Sequence, residues 1–227
     1  MTVDLEPDLR SKECKSIEIV LPKLLDFFDN HNIKATFFIV TSLLEKYEQD
    51  IREIQHRGHE IASHSHTHSW FKNKEIAESE IKTSKEKLEE YGFKCLGFRA
   101  PKFLTTENHF QLLEKYGYKY DSSFNGNFEI KNVKGIKSIT LPASISGLSY
   151  LKLFYPFSKL FPKSKIFYLH PWEFLEKKDL PKGNSIKKIL LRHNSGQKAW
   201  NIFRKHLQKE EQDKVQWISC QEYLKKH

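Results

Sequence analysis

The stretch Gly58–His68, which reads GHEIASHSHTH, says most about how this chain folds. Its segment Glu60–Ser63 has the length and composition of a short buried β-strand, and a cluster of histidines follows at once. His64 and His68 are four residues apart, and on a helical turn that spacing places both imidazoles on one face, where they can share a metal ion. We therefore expect a strand that ends in a metal site.

Short apolar runs alternate with helical patterns on both sides of this stretch. Strands are also predicted over Met1–Leu5, Ala35–Val40, Leu96–Phe98, Tyr118–Asp121, Ile166–His170 and Val215–Ile218. Helices are predicted over Ile17–Asn30, residues 42–57, Lys74–Tyr91, Thr106–Tyr116 and Lys198–Leu207. Alternation of this kind favours an α/β fold with a mainly parallel sheet covered by helices, either open or closed as a barrel.

The length of the chain favours a single domain over residues 1–227, since no composition shift, repeat or linker marks a boundary. The least regular part is an insertion at about residues 122–164, which is rich in glycine and proline. Long irregular segments in compact domains are often functional, so we expect this insertion to bind substrate.

The composition is that of a soluble protein, with 38% hydrophobic residues and a mean hydropathy of −0.63. We find no uninterrupted apolar run of about 18 residues, and acidic residues occupy the first positions where a secretory leader would be basic and then apolar. The three cysteines, Cys14, Cys95 and Cys220, are too far apart for a disulfide framework or a zinc knuckle. The sequence therefore predicts a cytoplasmic protein with reduced thiols.

The net charge of +9 is compatible with nucleic acid, an anionic membrane surface or a phosphorylated substrate as a partner. The lysines are dispersed along the chain, which favours a solvated surface as the simplest interpretation. No nucleic-acid-binding motif is present, so we expect no nucleic-acid partner. Peripheral contact with an anionic membrane stays open, and the sequence does not indicate an oligomeric state.

Chemically capable side chains follow the ends of four predicted strands. They are Asp4 and Glu6, His64 and His68, Arg99, and His170. Ligands in α/β folds gather at the carboxyl ends of the strands, so these side chains should converge. This convergence is stronger evidence for a site than any one of the motifs alone.

The two acids of the first strand carry an electrostatic constraint. Asp4 and Glu6 are two residues apart, so an extended backbone points them to the same side, where they repel. A metal ion for one carboxylate and Arg99 for the other would remove that repulsion. The alternatives are acids in a fraying terminus and a surface arginine before a turn. His170 is either a satisfied core residue or an acid of the site, and the strand end at Pro171 favours the site.

Taken in order, these segments resemble the polysaccharide deacetylases of carbohydrate esterase family 4, the NodB-homology group. The matching segments are Thr2–Glu6 (TVDLE), the histidine motif within Gly58–His68, Phe98–Pro101 (FRAP), Gly117–Ser123 (GYKYDSS) and Phe167–Glu173 (FYLHPWE). The first motif matches the branch in which a single residue separates the two acids. The resemblance implies an irregular (β/α) barrel of about seven strands.

The resemblance also implies roles for individual residues. The metal ligands would be Glu6, His64 and His68, the base Asp4 braced by Arg99, the acid His170, and the oxyanion donor the backbone N–H of Lys102. Asp121 would be a supporting carboxylate behind the site, and Trp172 is a candidate substrate-binding residue. This chain has Lys102 where the family usually has tyrosine, and Glu6 where much of the family has aspartate.

The implied activity is a metal-dependent N-deacetylase, in which activated water removes acetyl from an N-acetylated sugar of a surface glycan or its precursor. An oligosaccharide or a lipid- or nucleotide-linked sugar would serve as substrate. Two imidazoles and a carboxylate suit zinc, and cobalt, nickel, iron or manganese are acceptable. The alternatives are another C–N hydrolase on the same scaffold, such as an allantoinase-like or imide hydrolase or a deformylase of lipid-linked amino sugars, and a non-catalytic glycan-binding protein.

Overall fold

The computed structural model describes residues 1–8, 14–124, 130–139, 166–180 and 195–226. Its strands are β1 (Thr2–Leu5), β2 (Thr36–Ile39), β3 (Glu60–Ser63), β4 (Gly97–Phe98), β5 (Tyr120–Asp121), β6 (Ile130–Val133), β7 (Ile136–Ile139) and β8 (Tyr168–Leu169). Its α-helices are α1 (Leu21–Asn30), α2 (Leu44–His56), α3 (Lys74–Glu90), α4 (His109–Lys115), α5 (Gln197–Gln212) and α6 (Cys220–Lys226). A π-helical turn, Ser16–Val20, leads into α1, and 3₁₀ turns cover Thr41–Leu43, Pro101–Phe103 and Pro171–Phe174.

The eight strands form one mixed sheet in the order β6-β7-β5-β4-β3-β2-β1-β8, which curls into a half-barrel covered by helices. All described pairs are parallel except β6 with β7, which is antiparallel. The α/β fold predicted from the alternating pattern and the irregular barrel-like architecture implied by the family resemblance are therefore confirmed, with eight strands where about seven were expected. The parallel register brings the carboxyl ends of β1, β2, β3, β4 and β8 to one edge, called here the carboxyl edge.

The two faces of the sheet bury different sets of side chains. Phe37 belongs to the large hydrophobic cluster that the helices cover, whereas Phe38 belongs to a smaller cluster on the other face, with Ala62 and Tyr120. Neighbouring residues of a strand point to opposite faces, so one short apolar run supplies both clusters. Helix α1 contributes Leu21, Leu24, Leu25 and Phe28 to the larger cluster, as its amphipathic spacing predicts.

At the opposite edge, called here the amino edge, a set of hydrogen bonds centres on the Glu60 carboxylate. The Glu60 carboxylate accepts from the Thr36 hydroxyl at 2.7 Å, the Tyr120 hydroxyl at 2.7 Å and the Gln221 backbone N–H at 2.9 Å. Gly97 makes the Tyr120 position possible, since a Cβ at Gly97 would lie 1.9 Å from Cζ of Tyr120. The Gln221 contact places the start of α6 over this edge of the sheet.

Two sequence predictions about secondary structure are wrong. Val215–Ile218 is not a strand, although the Trp217 carbonyl accepts a hydrogen bond from the Lys34 N–H at 3.2 Å. The chain then enters helix α6, which the sequence did not predict. The hairpin β6–β7 lies inside the stretch expected to be irregular. Its two-residue turn, Lys134–Gly135, has positive φ at both positions, which is the geometry that tight hairpins require.

The rest of the predicted insertion, residues 125–129 and 140–164, lies outside the described residues. The expectation of a single domain with a substrate-binding insertion therefore stays a prediction. In the described part of the chain, no helix combines the length and the apolar character that a membrane span requires.

Candidate metal centre and active site

The histidine motif lies in a loop at the carboxyl edge, directly after β3, and not on a helical turn. The helical explanation of the spacing of His64 and His68 is therefore wrong. Ser65 and His68 have φ values of 70° and 61°, in the left-handed region that non-glycine residues rarely adopt. The loop folds back at these two positions, and the centroids of the two imidazole rings lie 5.1 Å apart. Strained backbone of this kind is common at functional sites.

Helix α3 holds the loop from behind through Glu80, which the sequence analysis did not single out. The Glu80 carboxylate accepts from the backbone N–H groups of His66 and Thr67, at 2.9 and 2.8 Å, and from the Thr67 hydroxyl at 2.5 Å. His66 turns away from its two neighbours, and its Nδ1 contacts the Thr41 hydroxyl at 3.0 Å. No short-range sequence signal pointed to Glu80, because its partners are more than ten residues away.

Glu6, His64 and His68 bring one ligand atom each into a single group whose atoms all lie within 4.8 Å of one another. Oε2 of Glu6 is 2.6 Å from Nε2 of His68 and 3.8 Å from Nε2 of His64. Nε2 of His68 is buried but has no hydrogen-bond partner of acceptable geometry within the described residues. Buried polar atoms are rarely left in that state, so the short contact suggests that a further ligand belongs here.

The protonation of His64 supports the same interpretation. Its Nδ1 lies 2.8 Å from the Arg99 backbone oxygen, which can only accept, so Nδ1 carries the hydrogen. Burial lowers the pKa of His64 to about 4, so the ring is neutral at pH 7 and its bare Nε2 faces the carboxylates of Glu6 and Asp4. A lone pair that faces two carboxylates is unfavourable unless a cation lies between them. The donor set, two imidazoles and a carboxylate, therefore fits a divalent metal.

Asp4 is held by a guanidinium that is itself completely buried. Nη1 of Arg99 donates to Oδ1 of Asp4 at 2.5 Å and to the Thr2 hydroxyl at 3.1 Å, and its other nitrogens donate to the backbone oxygen and hydroxyl of Ser122. The guanidinium also lies 4.0 Å from the ring centroid of Phe38. These contacts fix Oδ1 and leave Oδ2 of Asp4 directed at the site.

His170 lies immediately after β8, opposite the two acids. Its Nε2 is 3.8 Å from Oε1 of Glu6 and 4.0 Å from Oδ2 of Asp4. The neighbouring turn supplies Glu173, which accepts from the His170 backbone N–H at 3.0 Å and lies 3.8 Å from Nδ1. Burial would lower the pKa of His170, but the carboxylates of Glu6, Glu173 and Asp4 together raise it to about 9. The ring is therefore charged at pH 7 in the metal-free protein.

Burial acts on Glu6 in the opposite sense, because it favours the neutral carboxyl group. The positive charge of His170 and the neighbouring imidazoles of His68 and His64 outweigh burial and lower the pKa of Glu6. The carboxylate is therefore ionised and available as a ligand.

Trp172, expected as a substrate-binding residue, is only 6% exposed. Its indole Nε1 donates to Oε1 of Glu6 at 3.0 Å, and its ring is stacked on the imidazole of His170 with centroids 4.6 Å apart. The side chain thus contacts two other members of the site rather than open solvent.

Two further predicted residues lie close behind or beside this group. Asp121 accepts from the Ser123 backbone N–H and hydroxyl and lies 2.8 Å from Nε2 of His109. It thereby holds the segment that also carries Ser122, the partner of Arg99. Lys102 lies at the carboxyl end of β4 with a left-handed φ of 55°, and its ammonium group is 3.7 Å from the ring centroid of Trp70. The role of its backbone N–H stays a prediction.

Known proteins resemble this chain in sequence and in fold. A peptidoglycan-N-acetylglucosamine deacetylase of Bacillus cereus is 27% identical over 153 residues, which cover 66% of this chain and 51% of that protein. The chain spans about half the length of the curated relatives it matches.

Among solved structures, the peptidoglycan N-acetylglucosamine deacetylase Bc1960 has a TM-score of 0.61 at 19% identity, covering 96% of this chain and 84% of that one. The allantoinase Puue has a TM-score of 0.57 at 18% identity, covering 75% and 76%. These structures share the fold. The family model for polysaccharide deacetylases matches residues 3–120, more than half of the 227 residues. The chain belongs to the polysaccharide deacetylase family.

Proposed function

We propose that this protein is a metal-dependent N-deacetylase that hydrolyses the acetamido group of an N-acetylated sugar in a surface glycan or its precursor. The observation that carries the proposal is the meeting, at one edge of the sheet, of three metal-ligand candidates with a braced carboxylate and a charged imidazole. Residues 1–227 act as one catalytic domain in this proposal. The metal ion would be held by Glu6, His64 and His68, and zinc suits this donor set best.

A divalent ion bound there would act as a Lewis acid that makes water a stronger nucleophile and polarises the substrate carbonyl. The protein's own part begins with Asp4. Arg99 holds Oδ1 of Asp4, so Oδ2 is the atom that accepts the proton of the attacking water.

The later steps belong to Lys102 and His170. The backbone N–H of Lys102 donates to the oxygen of the substrate carbonyl as negative charge develops on it. The pKa of His170 is raised to about 9, so the ring is poised to give its Nε2 proton to the departing amine. An amine leaves poorly without a proton, which makes this step the one that separates amide hydrolysis from ester hydrolysis. The products are acetate and an amino sugar.

The substrate class rests on the named relatives. The Bacillus cereus relative is named for N-acetylglucosamine in peptidoglycan, and a further relative from Sinorhizobium fredii for chitooligosaccharides. We therefore propose a β-linked polymer or oligomer of N-acetylglucosamine as substrate. Likeness of fold does not decide the substrate by itself, since the allantoinase structure shares the architecture. A ureide hydrolase is thus the alternative that the experiment must separate.

The experiment compares chelator-treated protein with the same protein reloaded with zinc, cobalt, nickel or manganese. Acetate release is measured from N-acetylglucosamine oligomers and from peptidoglycan, and formation of the ring-opened acid allantoate is measured from allantoin. We expect acetate release to be lost on chelation and restored by at least one ion. Deacetylation that survives complete metal removal, or hydrolysis of the ureide alone, would show that the proposal is wrong.

A further inference from the structure

We propose that Trp172 is a positioning residue for the metal site: its indole N–H holds one oxygen of Glu6 so that the other faces the two histidines. This inference rests on the proposed function only in taking Glu6 as a metal ligand. It replaces the expectation that Trp172 binds substrate.

The contact between Trp172 and Glu6 is direct and buried. Nε1 of Trp172 is 3.0 Å from Oε1 of Glu6, and the two residues are 6% and 9% exposed. An indole N–H can only donate, so Oε1 of Glu6 is the acceptor in this hydrogen bond. The two residues are 166 positions apart, and the parallel pairing of β8 with β1, which aligns Leu169 with Val3, brings them together.

The two carboxylate oxygens of Glu6 have different contacts. Oε1 accepts from the indole, whereas Oε2 is the atom 2.6 Å from Nε2 of His68 and 3.8 Å from Nε2 of His64. A glutamate side chain has one more rotatable bond than an aspartate and reaches further, so an unrestrained carboxylate would sample several orientations. The indole hydrogen bond removes that freedom at Oε1, the oxygen that does not contact His64 or His68. This chain thus offers a physical reason why glutamate works at position 6.

The ring of Trp172 is itself held in place. One face is stacked on His170 at 4.6 Å with an interplanar angle of 25°, and the residue packs into the main hydrophobic cluster from a 3₁₀ turn. A sugar platform needs an open aromatic face, which a side chain that is 6% exposed does not provide. One side chain therefore fixes the orientation of Glu6 and contacts His170 as well.

The test compares Trp172→Phe with Trp217→Phe. Both substitutions remove an indole from a buried tryptophan, but Nε1 of Trp217 has no hydrogen-bond partner within the described residues, so only the first one removes a hydrogen bond. Zinc affinity is measured by chelator competition, and folding is followed by circular dichroism and thermal melting. We expect Trp172→Phe to weaken zinc binding roughly 10- to 100-fold, the range found when partners of metal ligands are removed. Trp217→Phe should bind zinc as the wild type does.

A double-mutant cycle identifies the contact responsible. Glu6→Asp withdraws the carboxylate from the indole, so Trp172→Phe should cost little further zinc affinity in that background. If the losses of zinc affinity in Glu6→Asp and Trp172→Phe are additive, the indole does not act through Glu6 and the inference is wrong. Wild-type zinc affinity in Trp172→Phe would also overturn it, as would equal losses of zinc affinity in Trp172→Phe and Trp217→Phe. A wild-type protein that binds no zinc would overturn it too. A protein that binds zinc through this contact but releases no acetate would instead count against the proposed function alone.

Discussion

Two carboxylates at opposite edges of the same sheet, Glu6 buried and Glu60 partly buried, differ in how they are satisfied. Glu60, at the amino edge, accepts hydrogen bonds from two hydroxyl groups and a backbone N–H. Glu6, at the carboxyl edge, accepts one from an indole and otherwise faces three imidazoles. Burial dominates for Glu60 and raises its pKa, whereas the imidazoles outweigh burial for Glu6 and lower its pKa.

The difference separates a structural group from a functional one. The donors around Glu60 come from β2, β5 and α6, so both oxygens of the carboxylate are engaged and it ties these elements to β3. Oε2 of Glu6 instead faces the imidazoles of His68 and His64, in a group of atoms that could hold a metal ion.

The largest effect is expected at the carboxyl edge, from Asp4→Asn. The amide cannot accept the proton of water in the way the carboxylate does, so deacetylation should fall about 1,000-fold, within the range for a lost general base. Zinc binding measured by chelator competition should persist, because Asp4 is not one of the three ligand candidates. Glu60→Gln is the control at the amino edge and should retain activity within about tenfold. Equal losses in the two variants would contradict the assignment.

His170→Ala should have the next largest effect and should depend on the leaving group. Without the acid, an amine leaves unprotonated, and kcat for an N-acetylated sugar should fall about 100-fold or more. An activated aryl acetate has a leaving group that needs no proton, so its hydrolysis should fall by less than about tenfold. Both substrates are measured with one enzyme preparation, so that each serves as a control for the other. An equal fall in kcat for the two substrates would show that His170 is not the acid.

Truncation of each carboxylate should destabilise the metal-free protein for a different reason. Glu60→Ala strands the hydroxyls of Thr36 and Tyr120 and the N–H of Gln221, so the free energy of unfolding should fall by about 3 kcal/mol. Glu6→Ala strands one indole N–H and leaves the charged His170 with one carboxylate fewer, so a fall of about 2 kcal/mol is expected at pH 7, where the lowered pKa of Glu6 means that its charge stabilises the folded state. Urea titration at pH 7 gives both values. An unchanged free energy of unfolding in Glu6→Ala would contradict the lowered pKa of Glu6.

The smallest effect concerns the histidines that flank β3 at its two ends. Burial lowers the pKa of both His59 and His64 to about 4, so each resists protonation in the folded state. Their contribution to stability is fully present above the unfolded pKa of about 6.5 and is lost as the pH falls towards 4. For His59 alone the loss at pH 5.5 should be ~1 kcal/mol.

The free energy of unfolding of the wild type and of His59→Asn, measured between pH 7.5 and 5, gives this contribution. The interval brackets the unfolded pKa of about 6.5. The asparagine oxygen can replace Nδ1 of His59 as acceptor for the Ala35 N–H and does not titrate, so the variant should show the shallower pH dependence. Identical slopes would mean that His59 is free to become protonated in the folded protein.

Much of the fold was predictable because the strands are short apolar runs bounded by clear turn residues. Glu60–Ser63 was predicted to the residue, since Gly58 ends the preceding helix and the histidines follow directly. Val215–Ile218 shows the limit of the method. Its composition is that of a strand, but whether a strand forms depends on a neighbour that supplies a hydrogen-bonding ladder, which is decided by the whole fold.

The convergence of the candidate residues was predictable from the sequence, but the contacts that hold them were not. The positions after strand ends indicated Asp4, Glu6, His64, His68, Arg99 and His170, and the structure brings all of them to one edge. The contacts that orient them are made by Glu80, Ser122, Glu173 and the indole of Trp172. Most of these contacts join distant parts of the chain and depend on side-chain rotamers, so spacing rules could not anticipate them.

The loop Ser65–His68 cannot be transferred to a designed protein as an isolated metal-binding motif. The five residues from His64 to His68 do not determine the conformation of the loop by themselves. Two of them adopt left-handed backbone, and hydrogen bonds to Glu80 and Thr41 hold the turn from outside. Grafted onto another scaffold without those two anchors, the pentapeptide should relax and its imidazoles should drift apart. A transplantable version would have to include an acidic residue on a neighbouring helix and a hydroxyl on the adjoining strand end.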